Sequence, residues 1–323
     1  MNKELEIWQF AAKRLKRNES VVLLVVAESS GSSPGRQGFK MIVAEDDLRG
    51  SIGGGVMEIR LVELAKLKIK NEELKIGSEI VRQNHRKDTA NPSGMICSGE
   101  QTVIFYKLNF GDLPAIRKIV RSLKNPQSKL LQITSNNLQV TENHPDDFDY
   151  RFIKRDERDF LFQEKLGFKN KLFIIGGGHC SLALSELASK MDFYISLFDD
   201  RPNLNTLAKN KFVHEKTILE SYEKIGDFIP SGAKHFVVVM TLGYQSDEIV
   251  IRRLLDKDFK YFGILGSRAK MATLLKNLEK EGFSKEKLGK IHTPIGLQIN
   301  SRTPDEIAVS IAAEIIAVKN AKH

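Results

Sequence analysis

An apolar run that stops on three glycines and restarts as a helix, KLFIIGGGHCSLAL at 171–184, constrains the fold of this 323-residue chain more than any other stretch. Gly176 and Gly178 take the first two positions of G-x-G-x-x-G, and Ser181 stands third, where a small residue still permits close helix–strand packing. Downstream, strands FYISLFDD, HFVVVMT and YFGILG alternate with helices SLALSELASKM, SDEIVIRRLLD and RAKMATLLKNLEKEG. Such alternation makes βαβ units and a parallel, doubly wound sheet over 171–323. In that setting the loop favours a nucleotide-like ligand, with pyrophosphate on the helix N-terminus and Asp199, at the next strand's end, accepting from ribose hydroxyls. Arg201 is an alternative contact, for a 2′-phosphate or another anion. The plain alternative is a tight strand-to-helix turn. His179 either does chemistry or fills that turn; Gly266, Ser267 and Arg268 either clamp a phosphate or cap a helix.

A second triplet, in RGSIGGGVMEIR at 49–60, reads differently. It has neither the Lys-Ser/Thr of a P-loop nor a further glycine three residues after Gly55, and Glu58 in the first helical turn would repel a phosphate. Gly53, Gly54 and Gly55 instead suggest backbone passing close to other backbone or to a flat ligand, with bare N–H groups available. Two further small-residue loops, SSGSSPGRQG at 29–38 and GMICSGE at 94–100, are their expected partners. The second carries a turn thiol, Cys97, that either binds a soft metal or sulfur species or is simply a small buried residue. These loops join the strands SVVLLVVAES, FKMIVAE and EQTVIFYKL and the helices at 1–17 and 56–71 into a mixed α/β domain over 1–110. Residues 111–170, weaker in pattern and rich in charge, read as a connector with modest structure of its own, a helix around 113–124 and the short strands LLQIT and LQVT.

Composition excludes several classes. The apolar fraction of 41% is ordinary for a globular protein, and no apolar run approaches the roughly 20 residues of a membrane span. The charged N-terminus lacks the form of a signal peptide, so a cytoplasmic location is expected. Cys97 and Cys180 fit no disulfide or zinc spacing. The net charge of +9 is spread over segments where acids interleave with lysines, so nucleic acid is not an expected partner.

At this point the residues resemble a known family. ESSGSSPGRQGFKMIV, GSIGGGVMEIRLVELA and GMICSGE look like the N-terminal domain of the XdhC/CoxI family, accessory proteins of xanthine dehydrogenase and related molybdenum hydroxylases. The C-terminal half resembles the family's Rossmann domain through IIGGGHCSLAL, LFDDRPN, YFGILGSRAKM and, most specifically, IHTPIGLQINSRTPDEIAVSIAAEII at 291–316. The resemblance implies an N-terminal XdhC/CoxI-type domain followed by a Rossmann-like domain. It also implies a chaperone-like role without turnover: binding the molybdenum cofactor (molybdopterin), assisting its sulfuration by a cysteine desulfurase and inserting it into an apo-hydroxylase, with a homodimer expected. The implied cofactor contacts are Gly53, Gly54, Gly55, Glu58, Cys97, Ser98, Gly99 and Glu100 in the first domain, with Cys97 meeting molybdenum or its sulfur ligand, and the second domain's loop residues named above. The family's threonine-histidine-x-histidine-x-x-aspartate motif reads here as TLGYQSD, keeping Thr241 and Asp247 without either histidine. An NAD(P)-dependent oxidoreductase is the competing reading, although no catalytic Tyr-x-x-x-Lys pair and no histidine–carboxylate pair for hydride transfer can be placed from the sequence.

Overall fold

Seven consecutive apolar residues, VVLLVVA at 21–27, make a strand too apolar to leave either face in water, and the computed structural model buries both. The structure describes residues 3–71, 78–84, 99–124, 129–142, 148–156, 159–191 and 193–321. Two compact units divide the chain, Met1–Gly167 and Phe168–His323.

In the first unit, β1 (Val21–Gly31) is the middle strand of an antiparallel sheet with β2 (Lys40–Val43), β3 (Leu48–Gly50), β4 (Ser78–Asn84) and β5 (Gly99–Leu108), in the order β3-β2-β1-β5-β4. Alternation along β1 sends Val21, Leu23 and Val25 to one core and Val22, Leu24 and Val26 to the other. The first core takes Trp8 and Ala11 from α1 (Lys3–Leu15); the second takes Leu61 and Ala65 from α2 (Gly55–Lys70).

Residues 111–170, expected as a connector with one helix and two short strands, hold that helix and those strands and two strands more. A Pro at the first turn opens α3 (Leu113–Ser122), whose Ile116 and Ile119 pack in the same core as Trp8. Four strands follow: β6 (Lys129–Thr134), β7 (Leu138–Glu142), β8 (Tyr150–Lys154) and β9 (Phe160–Leu166), paired antiparallel as β7-β6-β9-β8. Leu131 and Phe162 from this second sheet join that core as well.

A buried ion pair ties the pieces together. The Lys40 ammonium, 3% exposed, lies 2.6 Å from the Glu164 carboxylate, 2% exposed, and donates to Glu4 Oε1 at 2.8 Å and Gly38 O at 2.9 Å. Burial works against the ammonium, but the Glu164 and Glu4 carboxylates more than offset it and hold its pKa above the ordinary lysine value.

The second unit is the expected parallel sheet. β10 (Asn170–Ile175), β11 (Phe193–Asp199), β12 (Glu215–Ile218), β13 (Gly232–Val239) and β14 (Phe259–Ile264) run in the order β12-β11-β10-β13-β14. Leu172 and Ile174 face one layer, with α4 (His179–Ala188) and α10 (Pro304–Asn320). Phe173 and Ile175 face the other, with α7 (Tyr244–Leu254) and α8 (Arg268–Lys280). Strand order reverses between β10 and β13, which places the ligand crevice of such sheets at their carboxyl ends. The short strand β12 has no counterpart in the sequence reading. The long motif at 291–316 proves partly architectural: Glu314 on α10 accepts from Tyr261 Oη and from Gly296 N at 2.8 Å, and Thr303 and Glu306 form a capping box.

Candidate functional site

In the first unit the three small-residue loops meet wherever they are described. Gly53, at φ +132°, lies so close to Pro34 and Gly35 that a Cβ there would fall on their backbone, and a Cβ on Gly99 would fall on Ser33 N. Gln101, buried on β5, reaches two of the loops: Ser33 Oγ donates to its Oε1 at 3.0 Å, and its Nε2 donates to Ile52 O at 3.1 Å. Nothing in the glycine pattern singled out Gln101; a polar residue at an inward-facing strand position was the available signal.

The N–H groups expected to be bare around the triplet are instead partly used. Glu58 Oε2 accepts from Ser51 Oγ at 2.7 Å, Ile52 N at 2.8 Å and Gly54 N at 2.9 Å, while Gly53 N donates to Ser51 Oγ at 3.1 Å. The carboxylate thus fills the place a phosphate would take at the N-terminus of α2, and the loop is a braced wall rather than an anion cradle. Glu100 is exposed and Gly99 buried. Cys97 and Ser98 lie outside the described residues. This packing yields a contrast: Gly54→Ala, at φ +77° in open space, should cost about 1 kcal/mol, whereas Gly53→Ala should cost a few kcal/mol. Urea unfolding followed by fluorescence of Trp8, the single tryptophan and a buried member of this unit's core, reads both.

In the second unit the loop after β10 stands at the switch point. Gly176, at φ +104°, runs against the Met240 carbonyl and Thr241 N at the end of β13. Thr206 Oγ1 braces the loop by donating to Gly177 O at 2.5 Å. Gly178 is the N-cap of α4, with no side-chain cap and open space where its Cβ would be. A helix of ten residues therefore presents an uncapped N-terminus at the carboxyl edge of a parallel sheet, the geometry that holds phosphates elsewhere. His179 is exposed; Cys180 is half-buried against the core of α4 and α10, where burial raises its thiol pKa above the ordinary value.

The ribose role expected of Asp199 meets a carboxylate already carrying four donors. Fully buried, it accepts from Gly177 N at 2.5 Å, Arg201 N at 2.8 Å, Arg201 Nε at 2.8 Å and Arg201 Nη2 at 2.8 Å. Burial pushes its pKa up, but the Arg201 guanidinium and the two backbone N–H groups outweigh it and hold the group below the ordinary carboxylate value. Arg201 is spent on the same pair rather than standing free for a 2′-phosphate. Ser267 caps α8 by accepting from Lys270 N at 3.4 Å, which is the plain reading of GSR; Gly266 packs on Met271, and Arg268 is exposed.

Thr241 and Asp247 form a pair that the sequence named without a role. Asp247, 5% exposed, accepts from Thr241 Oγ1 at 2.6 Å. Leu242, in the place of the motif's first histidine, is 82% exposed, and Tyr244 stands in the place of the second. Burial, only partly offset by the Thr241 hydrogen bonds, pushes the Asp247 carboxyl from 3.8 up to about 6. A folded-state pKa above the unfolded one means the folded protein binds the extra proton, so stability should fall as pH rises from about 4 to about 6. Asp247→Asn should flatten that part of the pH–stability curve while keeping an acceptor for Thr241. Thermal melts across this window check it.

Among the described residues no three His, Cys, Asp or Glu side chains are placed to hold a metal ion, and no helix is long and apolar enough to cross a membrane.

Comparison with known proteins matches both halves. The XdhC Rossmann domain model matches residues 172–315, and the XdhC and CoxI family model matches residues 14–75. The uncharacterized protein YqeB of Escherichia coli (strain K12) is 23% identical over 319 residues, covering 98% of this chain and 47% of that protein. A protein of Bacillus subtilis (strain 168) described as a probable xanthine dehydrogenase component is 29% identical over 168 residues, 51% of this chain and 47% of that one. The chain thus spans about half the length of the curated relatives it matches. A crystal structure of a xanthine dehydrogenase from Bacillus halodurans superposes with a TM-score of 0.73 at 23% identity, covering 100% of this chain and 97% of that one, which shows the shared fold.

Proposed function

With both family domains matched in order along its length, the chain belongs to the XdhC and CoxI family, and we propose that it is an accessory protein of a molybdenum hydroxylase that binds the molybdenum cofactor and assists its sulfuration and insertion. The observation that carries this reading is the uncapped N-terminus of α4 at the sheet's switch point, open at Gly178 yet closed to ribose at Asp199. A phosphate fits there, on backbone N–H groups and the helix dipole. A dinucleotide held through its ribose finds its usual acceptor occupied, which disfavours the NAD(P)-dependent oxidoreductase.

The cofactor supplies the molybdenum centre on which the client hydroxylase depends. Of the chain's described residues, the backbone N–H groups at the α4 N-terminus, opened by Gly178, would hold the phosphate-bearing end. Cys97, two residues before Gly99, is the thiol assigned to molybdenum or its sulfur ligand. A cysteine desulfurase and an apo-hydroxylase are the proposed partners, the chain acts as a homodimer, and its compartment is the cytoplasm. The Bacillus subtilis relative, described as a probable xanthine dehydrogenase component, supports the choice of client class.

Retention of molybdopterin through gel filtration tests this directly. Gly178→Ala, at φ −71° with room for a methyl, should change stability by no more than about 1 kcal/mol yet weaken retention. Cys97→Ser should also lose retention. Undiminished retention in Gly178→Ala would remove the phosphate assignment, and in Cys97→Ser the thiol contact.

A further inference from the structure

The even scatter of basic residues along the sequence does not survive folding in the first unit. A groove of about 490 Å³ runs between α1 and α3. On the α1 side, Gln9, Ala12, Lys13 and Lys16 share one face at i, i+3, i+4 and i+7, Lys16 prolonging the helix through its N–H to Ala12 O at 3.2 Å. On the α3 side, Arg117, Val120 and Arg121 repeat the spacing, and Arg17 closes one end.

No acid lines this groove. Among the described residues Arg17 reaches Glu19 only at 4.0 Å, and Lys13, Lys16, Arg117 and Arg121 have no carboxylate partner. Arg117 and Arg121 stand four residues apart on one exposed helix face, a like-charge arrangement that weakens the helix carrying it. Folding does not call for it. The floor is apolar, made by Ala12, Val120 and the methylene stems of the long basic side chains.

We propose that this groove docks an acidic amphipathic helix of a partner protein, apolar residues on the floor and carboxylates against the two basic walls. Charge complementarity selects acid over base, and the apolar floor between two helices is the setting in which a third helix lays its apolar stripe. Nucleic acid is the other polyanion to consider, but no lining residue is aromatic, so bases have nothing to stack on. The site shares no residue with the cofactor-binding loops and stands or falls without them.

The probe is a fluorescein-labelled, helix-locked peptide with leucines at i, i+3, i+4 and i+7 and glutamates flanking them, titrated against the full chain by anisotropy. Binding that weakens steeply with salt is expected, and Arg117→Glu should reduce affinity about tenfold or more. Because that substitution places a carboxylate four residues before Arg121, the melting temperature should not fall; a merely structural role would move both readouts. Lys13→Glu, on the opposite wall, should weaken binding likewise, and Lys276→Glu, exposed in the second unit, should not. The proposal is overturned if a peptide of the same composition with scrambled leucines binds equally well. Equal affinity in Arg117→Glu, or a DNA duplex binding more tightly than the peptide, would overturn it too.

Discussion

Lys40→Met is expected to destabilise the first unit by about 3–5 kcal/mol, because it removes one member of a buried ion pair and leaves the Glu164 carboxylate, 2% exposed, without its cation. The loss is large because the ammonium also satisfies Glu4 and the Gly38 carbonyl, so one substitution strips three acceptors at the junction of α1, β2 and β9. Trp8 is buried in the adjoining core, and its fluorescence during urea unfolding should report a midpoint far below that of the parent chain. The double substitution Lys40→Met with Glu164→Leu should recover most of the loss, since the buried carboxylate is then removed together with the ammonium. A single substitution as stable as the parent would show that the pair contributes nothing at this junction.

The second large effect belongs to Gly176→Ala. At φ +104° a side chain is strained in any surroundings, and here a Cβ would also fall on the Met240 carbonyl where β10 and β13 end. Together these should cost about 3 kcal/mol or more. The second unit has cores of its own, so the loss should appear in far-UV circular dichroism while the Trp8 transition stays near its parent position. Since Gly176 sets the path of the loop leading to Gly178, cofactor retention should fall as well. Gly178→Ala, with an ordinary φ and free space, separates the two effects by sparing the fold.

How much of this was legible in the sequence depended on whether a residue's partner lay nearby along the chain. The parallel sheet was legible because each of its main strands carries its own apolar run and its own following helix, so local pattern and global fold agree. The strands β8 and β9 were hidden inside a charged stretch. Glu164 reads as a surface acid until Lys40, 124 positions away, is seen beside it. Likewise β12, EKTI, is a short edge strand with mostly exposed side chains and no hydrophobic alternation to betray it.

The candidate site divides along the same line. Close packing of the first triplet followed from three glycines in a row, and the objection to a phosphate there followed from Glu58, four residues from the N–H group of Gly54 that it binds. That Asp199 would be taken by Arg201, rather than held open for a ribose, turns on a side-chain rotamer that spacing alone leaves undetermined. The basic groove between α1 and α3 was invisible for a related reason: its two walls are about a hundred residues apart in sequence and each, taken alone, is an ordinary solvated helix face.

The central claim is tested most directly by transfer. The purified chain is incubated with molybdenum cofactor, freed of unbound material by gel filtration, and mixed with an apo-hydroxylase of the xanthine dehydrogenase type. Molybdenum and pterin are expected to elute with the protein and to restore hydroxylase activity, while NAD(H) is neither retained nor turned over. Tight NAD(H) binding with hydride turnover, and no pterin on the protein, would contradict the proposed function.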